Sequence, residues 1–154
     1  MDCAAGVDYG VRRVALAVID AGGHRVDEVL LGECGDVDAI DTIAESCWNV
    51  LTREHADVVV VEYPIVGMSR NLRVGIRMGM VAGAIIAASR QAGCEVTTVE
   101  PATWKKAVIG AGNASKDDVA NWLARHHPTY HSACASQDTI DATCLALYAT
   151  TQMA

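Results

Sequence analysis

Four carboxylates in this sequence occupy positions from which strands and helices could direct them toward one point. Asp8 interrupts the small, aliphatic run AAGVDYG, and Glu62 directly follows four valines. Asp138 and Asp141 are three residues apart in SQDTIDATCLAL, and this spacing places both on one face of a helix. Like charges this close repel each other unless a cation lies among them. Oxygen-only ligands suit Mg²⁺ or Mn²⁺, so the pattern predicts a metal site of the kind that can hydrolyse a phosphodiester with two ions.

Two of these acids also have simpler explanations. Asp138 could be an ordinary first-turn acid that the helix dipole stabilises. Glu62 could be a strand-end residue that reaches solvent. An acid inside a buried strand is costly unless it is paired, and it is the joint pattern that favours the metal site.

Hydrophobic periodicity and turn residues predict three leading strands, followed by helices that alternate with strands. Strands are predicted over 4–9, 13–20, 26–34, 57–64 and 94–100, and helices over 38–54, 70–92, 101–109, 115–126 and 136–151. This order predicts one α/β domain over residues 1–154, with a mixed five-stranded sheet and helices on both faces.

The composition indicates an ordered, reduced, intracellular protein. Hydrophobic residues make up 51% of the chain, and there are only three prolines. The six cysteines are scattered singly and form no CxxC pair, which favours free thiols. Arg77 and Arg90 interrupt the most apolar stretch, so we expect no membrane span. No basic segment precedes an apolar one at the N-terminus, so we expect no secretory signal and a cytoplasmic location.

The formal charge of −7 argues, taken alone, against a partner as acidic as a nucleic acid. The distribution of charge qualifies that conclusion, because eight of the twelve basic residues lie between Arg70 and Arg125. A local basic face on an acidic protein is compatible with DNA binding.

Four segments in order resemble the RuvC-type Holliday junction resolvases, which belong to the RNase H-like (retroviral integrase) superfamily. The segments are GVDYGVRRVALAVID, VVVVEYP, WKKAVIGAGNASKDDV and SQDTIDATCLAL, and together they span nearly the whole chain. The first segment alone is weak, since related folds share it, whereas the ordered set is specific. The resemblance implies an RNase H-like fold and a bacterial or bacteriophage source.

The resemblance also implies roles for individual residues. The metal ligands and catalytic acids would be Asp8, Glu62, Asp138 and Asp141, with two Mg²⁺ or Mn²⁺ ions per site. Lys105 and the catalytic Lys116 would approach the DNA backbone near the scissile phosphate, with Lys106 as a substitute for Lys105. Without the resemblance, each lysine could be an ordinary solvated helix residue.

The segment YPIVGMSRNLRVGIR corresponds to the family's junction-contacting region. Tyr63 or Ile65 could lie against the bases there, whereas Arg70, Arg73 and Arg77 could bind phosphates. The chain has no phenylalanine, so an aromatic wedge of that type is absent.

Glycines recur every four residues in the longest predicted helix, at positions 75, 79 and 83. A stripe of small residues lets another helix approach closely, and members of the family form homodimers. The stripe could equally pack on the protein's own sheet or on a neighbouring helix.

Histidines and tryptophans give weaker signals. The segment RHHPTYHSAC does not have the ligand spacing of a zinc finger and is better explained as a loop. His131, just before the acidic pair, could assist proton transfer. The three tryptophans lie in helical segments, and packing explains them better than base stacking.

The sequence therefore predicts a metal-dependent endonuclease that cleaves Holliday junctions or other branched DNA, such as flaps or forks, in recombination and repair. A related RuvC-like family proposed to process ribosomal RNA lacks the glutamate, so Glu62 disfavours it. Actin-like ATPases and sugar kinases need two such domains. The intact set of four acids disfavours a non-catalytic junction-binding module.

Overall fold

Three consecutive strands, β1 (Ala4–Gly10), β2 (Arg13–Asp20) and β3 (Gly23–Leu30), form an antiparallel meander in the computed structural model, which describes residues 2–65 and 71–153. Two later strands, β4 (Val58–Glu62) and β5 (Glu95–Val99), extend the sheet in parallel on the other side of β1. The strand order is β3-β2-β1-β4-β5, which confirms the predicted mixed five-stranded sheet.

Helices cover both faces of this sheet. They are α1 (Asp36–Arg53), α2 (Leu72–Gln91), α3 (Pro101–Val108), α4 (Lys116–His126), α5 (Pro128–Ala133) and α6 (Gln137–Thr151). Ile43 of α1 and Ile85 of α2 share a core with Val7 of β1. On the opposite face, Trp104, Leu123 and Leu145 of α3, α4 and α6 pack around Val60. We call this second side of the sheet the α6 face.

The alternation of side chains along β1 and β4 decides which acids face α6. In β1, Ala5, Val7 and Tyr9 belong to the core under α1 and α2, so Asp8 points to the α6 face. In β4, Val59 and Val61 belong to that same core, so Glu62 also points to the α6 face. Two predicted metal ligands thus share one side of the sheet.

Two sequence predictions about the elements were wrong. The third strand was predicted over 26–34, but β3 spans Gly23–Leu30, because its pairing with β2 runs only from Asp20↔Gly23 to Arg13↔Leu30. The short helix α5 was not predicted. Pro128, which follows the helix predicted over 115–126, starts α5, where its missing N–H costs no helical hydrogen bond.

By length and composition alone, α2 is the one helix within residues 2–65 and 71–153 that is long and apolar enough to cross a membrane, and an 18-residue window of it has a mean hydropathy of 1.4. The core helices of globular proteins share these properties. Val81 and Ile85 of α2 lie in the core beside α1, whereas Leu72, Ile76 and Met80 are exposed.

All six cysteines are free thiols, as predicted. Four of them are buried, namely Cys3, Cys47, Cys94 and Cys144.

Gly6 sets the distance between β1 and α6. A Cβ at Gly6 would lie 2.3 Å from both the Ala142 carbonyl oxygen and the Ala146 nitrogen, closer than a Cβ approaches non-bonded atoms in proteins.

We therefore expect Gly6→Ala to push α6 away from the sheet and to destabilise the protein by about 1–3 kcal/mol, as overpacked cores do. Urea unfolding monitored by circular dichroism measures this loss. Gly32→Ala is the matched control, because a Cβ there meets nothing within 4 Å. Equal stabilities of the two variants would contradict the close approach.

Candidate active site

Asp8 and Glu62 lie side by side near the carboxyl ends of two adjacent parallel strands. The pairing of β1 with β4 includes Val7↔Val61, and the next residues along the two strands are the two acids. Binding sites of α/β proteins commonly lie at this end of a parallel sheet. Asp8 is buried, with 7% of its surface exposed, and Glu62 is half-buried.

Helix α6 brings the second pair of acids to the same place. Ser136 caps the helix, because its hydroxyl accepts the Thr139 N–H while the Thr139 hydroxyl accepts the Ser136 N–H. Asp138 lies in the first turn that follows, and Asp141 is one turn further along. Glu28 of β3 accepts a hydrogen bond from the Ser136 hydroxyl and so ties the start of α6 to the sheet.

Arg13 joins the two pairs of acids. Its Nη1 lies 3.0 Å from Asp8 Oδ2 and 3.1 Å from Asp138 Oδ1. One guanidinium nitrogen therefore bridges an acid of the sheet and an acid of the helix. The structure thus brings Asp8 and Asp138 together, as the sequence predicted, but through an arginine that the sequence did not single out.

Neutral donors hold the other two acids. Trp104 donates its indole N–H to Glu62 Oε2 over 2.8 Å, and Gln137 donates its side-chain amide to Asp141 Oδ1 over 3.0 Å. The Tyr9 hydroxyl donates to the Glu62 carbonyl oxygen over 2.8 Å and so fixes the backbone of that residue. Packing was the expected role of Trp104, and its almost complete burial agrees, but it also orients a carboxylate.

Burial raises the pKa values of three of these acids. Burial raises the pKa of Asp8 to about 8, because it outweighs the ion pair with Arg13, and the charges of Glu62 and Asp141 raise that pKa further. Burial likewise raises the pKa of Glu62 against the opposing hydrogen bond from Trp104. Burial also raises the pKa of Asp141, although the amide of Gln137 and the charge of Lys105 lower it. The site therefore favours the arrival of further positive charge.

The donor set fits a hard divalent cation, because it consists of carboxylate oxygens alone. Among the residues that the structure describes, no group of three or more His, Cys, Asp or Glu side chains is arranged so that it could hold a metal ion. Each acid is instead engaged by Arg13, Trp104 or Gln137. Metal binding at these residues requires side-chain movements that exchange those partners for the ion.

The charges of two of the three predicted lysines act on the acids. The positive charges of Lys105 and Lys116 both lower the pKa of Asp141, and Lys105 also lowers that of Glu62. The ammonium of Lys105 lies 5.8 Å from the centre of the Trp104 ring. Lys106 is exposed on α3 and lines a shallow depression with Ala102, Thr103 and Ala107. The geometry therefore favours Lys105 over Lys106 at the site.

The predicted DNA-contacting residues after β4 are spread over the surface. Tyr63 and Ile65 are 51% and 59% exposed, as an insertion into bases would need. Arg73 is exposed in the first turn of α2, whereas Arg77 pairs through Nε with Asp36 Oδ2 over 3.0 Å. Arg70 lies outside the described residues.

The histidine segment forms a stack of rings. Trp122 stacks on His126, and His127 stacks on Tyr130, which in turn stacks on His24. Among the described residues, no side-chain hydrogen bond joins His131 to the four acids, so its predicted part in proton transfer stays a prediction. This segment supports packing rather than metal binding.

Sequence reasoning missed Arg13, Trp104, Gln137 and Glu28 as partners of the site. Two local signals existed. Gln137 and Asp141 are four residues apart on a helix, a spacing at which Gln–Asp hydrogen bonds form, and the S-x-x-T spacing of Ser136 and Thr139 suits a helix cap. The contacts of Trp104 with Glu62, of Glu28 with Ser136 and of Arg13 with Asp138 instead join residues far apart in the chain.

The raised carboxyl pKa values predict how stability depends on pH in the absence of divalent ions. Unfolded Asp and Glu titrate near pH 4, so between about pH 4 and 8 the folded protein holds more protons than the unfolded chain, and its stability falls as pH rises. The lowered pKa values of His24 and His127 act in the opposite direction near pH 6. We therefore expect the wild type to lose several degrees of melting temperature relative to Asp8→Asn between about pH 5 and 8. Thermal unfolding of both proteins in EDTA measures this difference, and a difference that does not change with pH would contradict the raised pKa of Asp8.

Comparison with known proteins shows which family the chain and its fold resemble. The family described as crossover junction endodeoxyribonuclease RuvC matches residues 4–149. Proteins of that name from Cereibacter sphaeroides and Azorhizobium caulinodans are 29% and 32% identical to the chain. These alignments cover 92% and 74% of the chain, and 85% and 70% of the two relatives.

A solved structure described as Thermus thermophilus RuvC in complex with Holliday junction substrate has the same fold, with a TM-score of 0.82. The alignment covers 99% of this chain and 96% of that one, at 24% identity. The fold likeness confirms the predicted RNase H-like architecture, and the family match confirms the resemblance seen in the four segments. The chain belongs to the RuvC family of crossover junction endodeoxyribonucleases.

Proposed function

We propose that this protein is a structure-specific endonuclease that cleaves Holliday junctions and related branched DNA during recombination and repair, in the cytoplasm of a bacterial cell or of a phage-infected host. The observation that carries the proposal is the convergence of Asp8, Glu62 and the α6 acids on one face of the sheet. A non-catalytic junction-binding module would have no need to bury acids there. The presence of Glu62 also disfavours the ribosomal RNA alternative.

In this proposal the four acids hold two Mg²⁺ or Mn²⁺ ions. When bound, such ions activate water and stabilise the departing 3′ oxygen of a phosphodiester, which leaves a 5′-phosphate end. Burial of the acids strengthens their hold on a cation, since the local dielectric is low. Trp104 and Gln137 orient two of the carboxylates before any ion arrives.

Lys105 and Lys116 would neutralise the DNA at the scissile phosphate. Both ammonium charges lower the pKa of Asp141, so in this proposal the phosphate that they neutralise lies beside that acid. Lys116 is the first residue of α4, and Ser115 caps that helix through its hydroxyl. The position of Lys116 is therefore fixed by its backbone, as a catalytic role requires.

Positive charge for the rest of the DNA would come from exposed basic residues around the site. Arg73 and Lys106 are exposed, whereas Arg77 on α2 is shared with Asp36. Phosphate contacts of this kind release condensed counterions and give binding that weakens with salt. An acidic protein can bind DNA in this way because its acids are largely elsewhere or bind the metal.

The exposed side of α2 is the proposed homodimer interface. Cβ atoms built at Gly79 and Gly83 meet nothing within 4 Å, so the stripe does not pack on the protein's own sheet at these positions. Leu72, Ile76 and Met80 are exposed beside it. An apolar helix face of this kind suits a symmetric partner, and two symmetric sites suit a junction with two strands to cut.

The acids give a direct test of the endonuclease proposal. We expect Asp8→Asn, Glu62→Gln and Asp138→Asn to lose cleavage by at least about 10²-fold while still binding DNA, because the ion-holding charge is lost but phosphate contacts are kept. Labelled four-way junctions, flaps, forks and linear duplex are incubated with Mg²⁺, Mn²⁺ or EDTA, and cleavage and binding are measured separately.

Exposed acids outside the site provide matched controls. Asp41→Asn on α1 and Glu95→Gln on β5 make the same chemical changes at exposed positions and should cleave as the wild type does. Full cleavage by Glu62→Gln would overturn the proposed site. Preference for linear duplex over every branched substrate would overturn the proposed substrate.

The dimer is tested with a bulky residue in the stripe. We expect Gly79→Leu to be a folded monomer that binds junctions poorly, because a leucine there meets open space in its own chain but blocks a partner helix. Multi-angle light scattering at micromolar concentration measures the mass. Asn49→Leu on the exposed face of α1 should stay dimeric. A monomeric wild type would contradict the interface.

A further inference from the structure

Arg13 occupies a position that a cation would take between two of the site's acids. It lies at the start of β2, and its Nη1 contacts Asp8 Oδ2 at 3.0 Å and Asp138 Oδ1 at 3.1 Å. The Asp8 side chain is only 9% exposed, whereas those of Arg13 and Asp138 are 34% and 29% exposed. The guanidinium therefore reaches into the site from its solvent side.

The turn between β1 and β2 leaves room for this arrangement. A Cβ at Gly10 would lie 3.0 Å from both Cγ and Nε of Arg13. The arginine stem thus passes directly over Gly10, its partner in the β1–β2 pairing, on its way to Asp8. Any other residue at position 10 would press against that path, so the absence of a side chain there suits the folded-back arginine.

We propose that Arg13 is a resident counter-cation of the site, which holds Asp8 and Asp138 together until a divalent metal ion displaces its guanidinium. This inference rests on the proposed metal-dependent function. The guanidinium occupies Asp8 Oδ2 and Asp138 Oδ1, so an ion that binds between these same two oxygens must displace it. Arg13 then lowers metal affinity and stabilises the metal-free protein.

The charge balance of the site supports the competition. Trp104 and Gln137 supply neutral donors to Glu62 and Asp141, and these donors add no positive charge. Of the four acids of the site, Asp8 and Asp138 are the two that form an ion pair within the described part of the chain. Carboxylates packed this closely need such a partner, because their mutual repulsion otherwise destabilises the fold.

The experiment measures Mn²⁺ binding and thermal stability without DNA. We expect Arg13→Gln to bind Mn²⁺ about tenfold more tightly than the wild type. A change of this size is within the usual range of affinity changes when one group at a site hinders the binding of another. In EDTA, the same variant should melt at a lower temperature, and Mn²⁺ should raise its melting temperature by more than it raises that of the wild type. Isothermal titration and thermal unfolding give the two values.

Arg12→Gln is the matched control, because Arg12 is the neighbouring residue with the same charge and a similar exposure of 30%. Its Nη2 pairs with Asp36 Oδ1 over 3.1 Å, away from the four acids. We expect its Mn²⁺ affinity to equal that of the wild type. Equal or weaker Mn²⁺ binding by Arg13→Gln would overturn the proposal, as would an equal gain in the Arg12 variant.

A measurement on the wild type covers the case in which Arg13→Gln does not fold. Arg13→Lys keeps the charge and identifies the Arg13 guanidinium signal in the NMR spectrum by its loss. That signal should move toward the position of a free arginine as Mg²⁺ is added to the wild type, and an unchanged signal at saturating Mg²⁺ would overturn the proposal.

Two outcomes separate a failure of this inference from a failure of the metal site. If Asp8→Asn abolishes Mn²⁺ binding but Arg13→Gln leaves the affinity unchanged, only the role of Arg13 is refuted. Absence of Mn²⁺ binding in the wild type and in every variant refutes the metal site itself.

Discussion

Burial of several carboxylates between a sheet and one helix is the constraint on which the rest of this structure depends. Asp8 is almost fully enclosed, and Glu62 and Asp141 lie close enough to raise its pKa. Such a group of acids is stable only if partners offset the repulsion and the lost hydration. Arg13, Trp104 and Gln137 provide those partners in the protein itself. In the proposed function a divalent cation would take over contacts that these partners now make, and this exchange would link the stability of the fold to its chemistry.

Two geometric features of the fold bring the four acids to the same face of the sheet. Side-chain alternation sends Asp8 and Glu62 to the same face, while their neighbours Val7 and Val61 build the core on the other. Gly6, two residues before Asp8, lets α6 lie directly on β1. A missing Cβ in the strand therefore controls how near the helix acids come to the strand acids. The same short segment therefore sets both the packing of α6 and the position of Asp8.

The acidic character of the chain and its proposed DNA partner are compatible because charge is sorted locally. Several arginines are occupied within the protein, since Arg25 pairs with Asp20 and Glu54, and Arg53 pairs with Asp27. Lys105 and Lys116 instead lower the pKa of Asp141 by their charge and have no ion-pair partner within the described residues. The net charge alone therefore does not predict whether the protein binds DNA, whereas the positions of a few basic side chains do.

The sequence by itself determined the order of the five strands and the mixed type of the sheet, although it missed α5, and it singled out the four acids as candidates. Periodicity of two and of 3.6 residues is a local property, and the unusual position of an acid in a buried strand is visible in Asp8. Only the tertiary structure decided what each acid touches. Trp104 is 42 residues from Glu62, and Asp138 comes from the far end of the chain to share Arg13 with Asp8. No local pattern encodes such pairs, because they depend on how β1, β4 and α6 pack together.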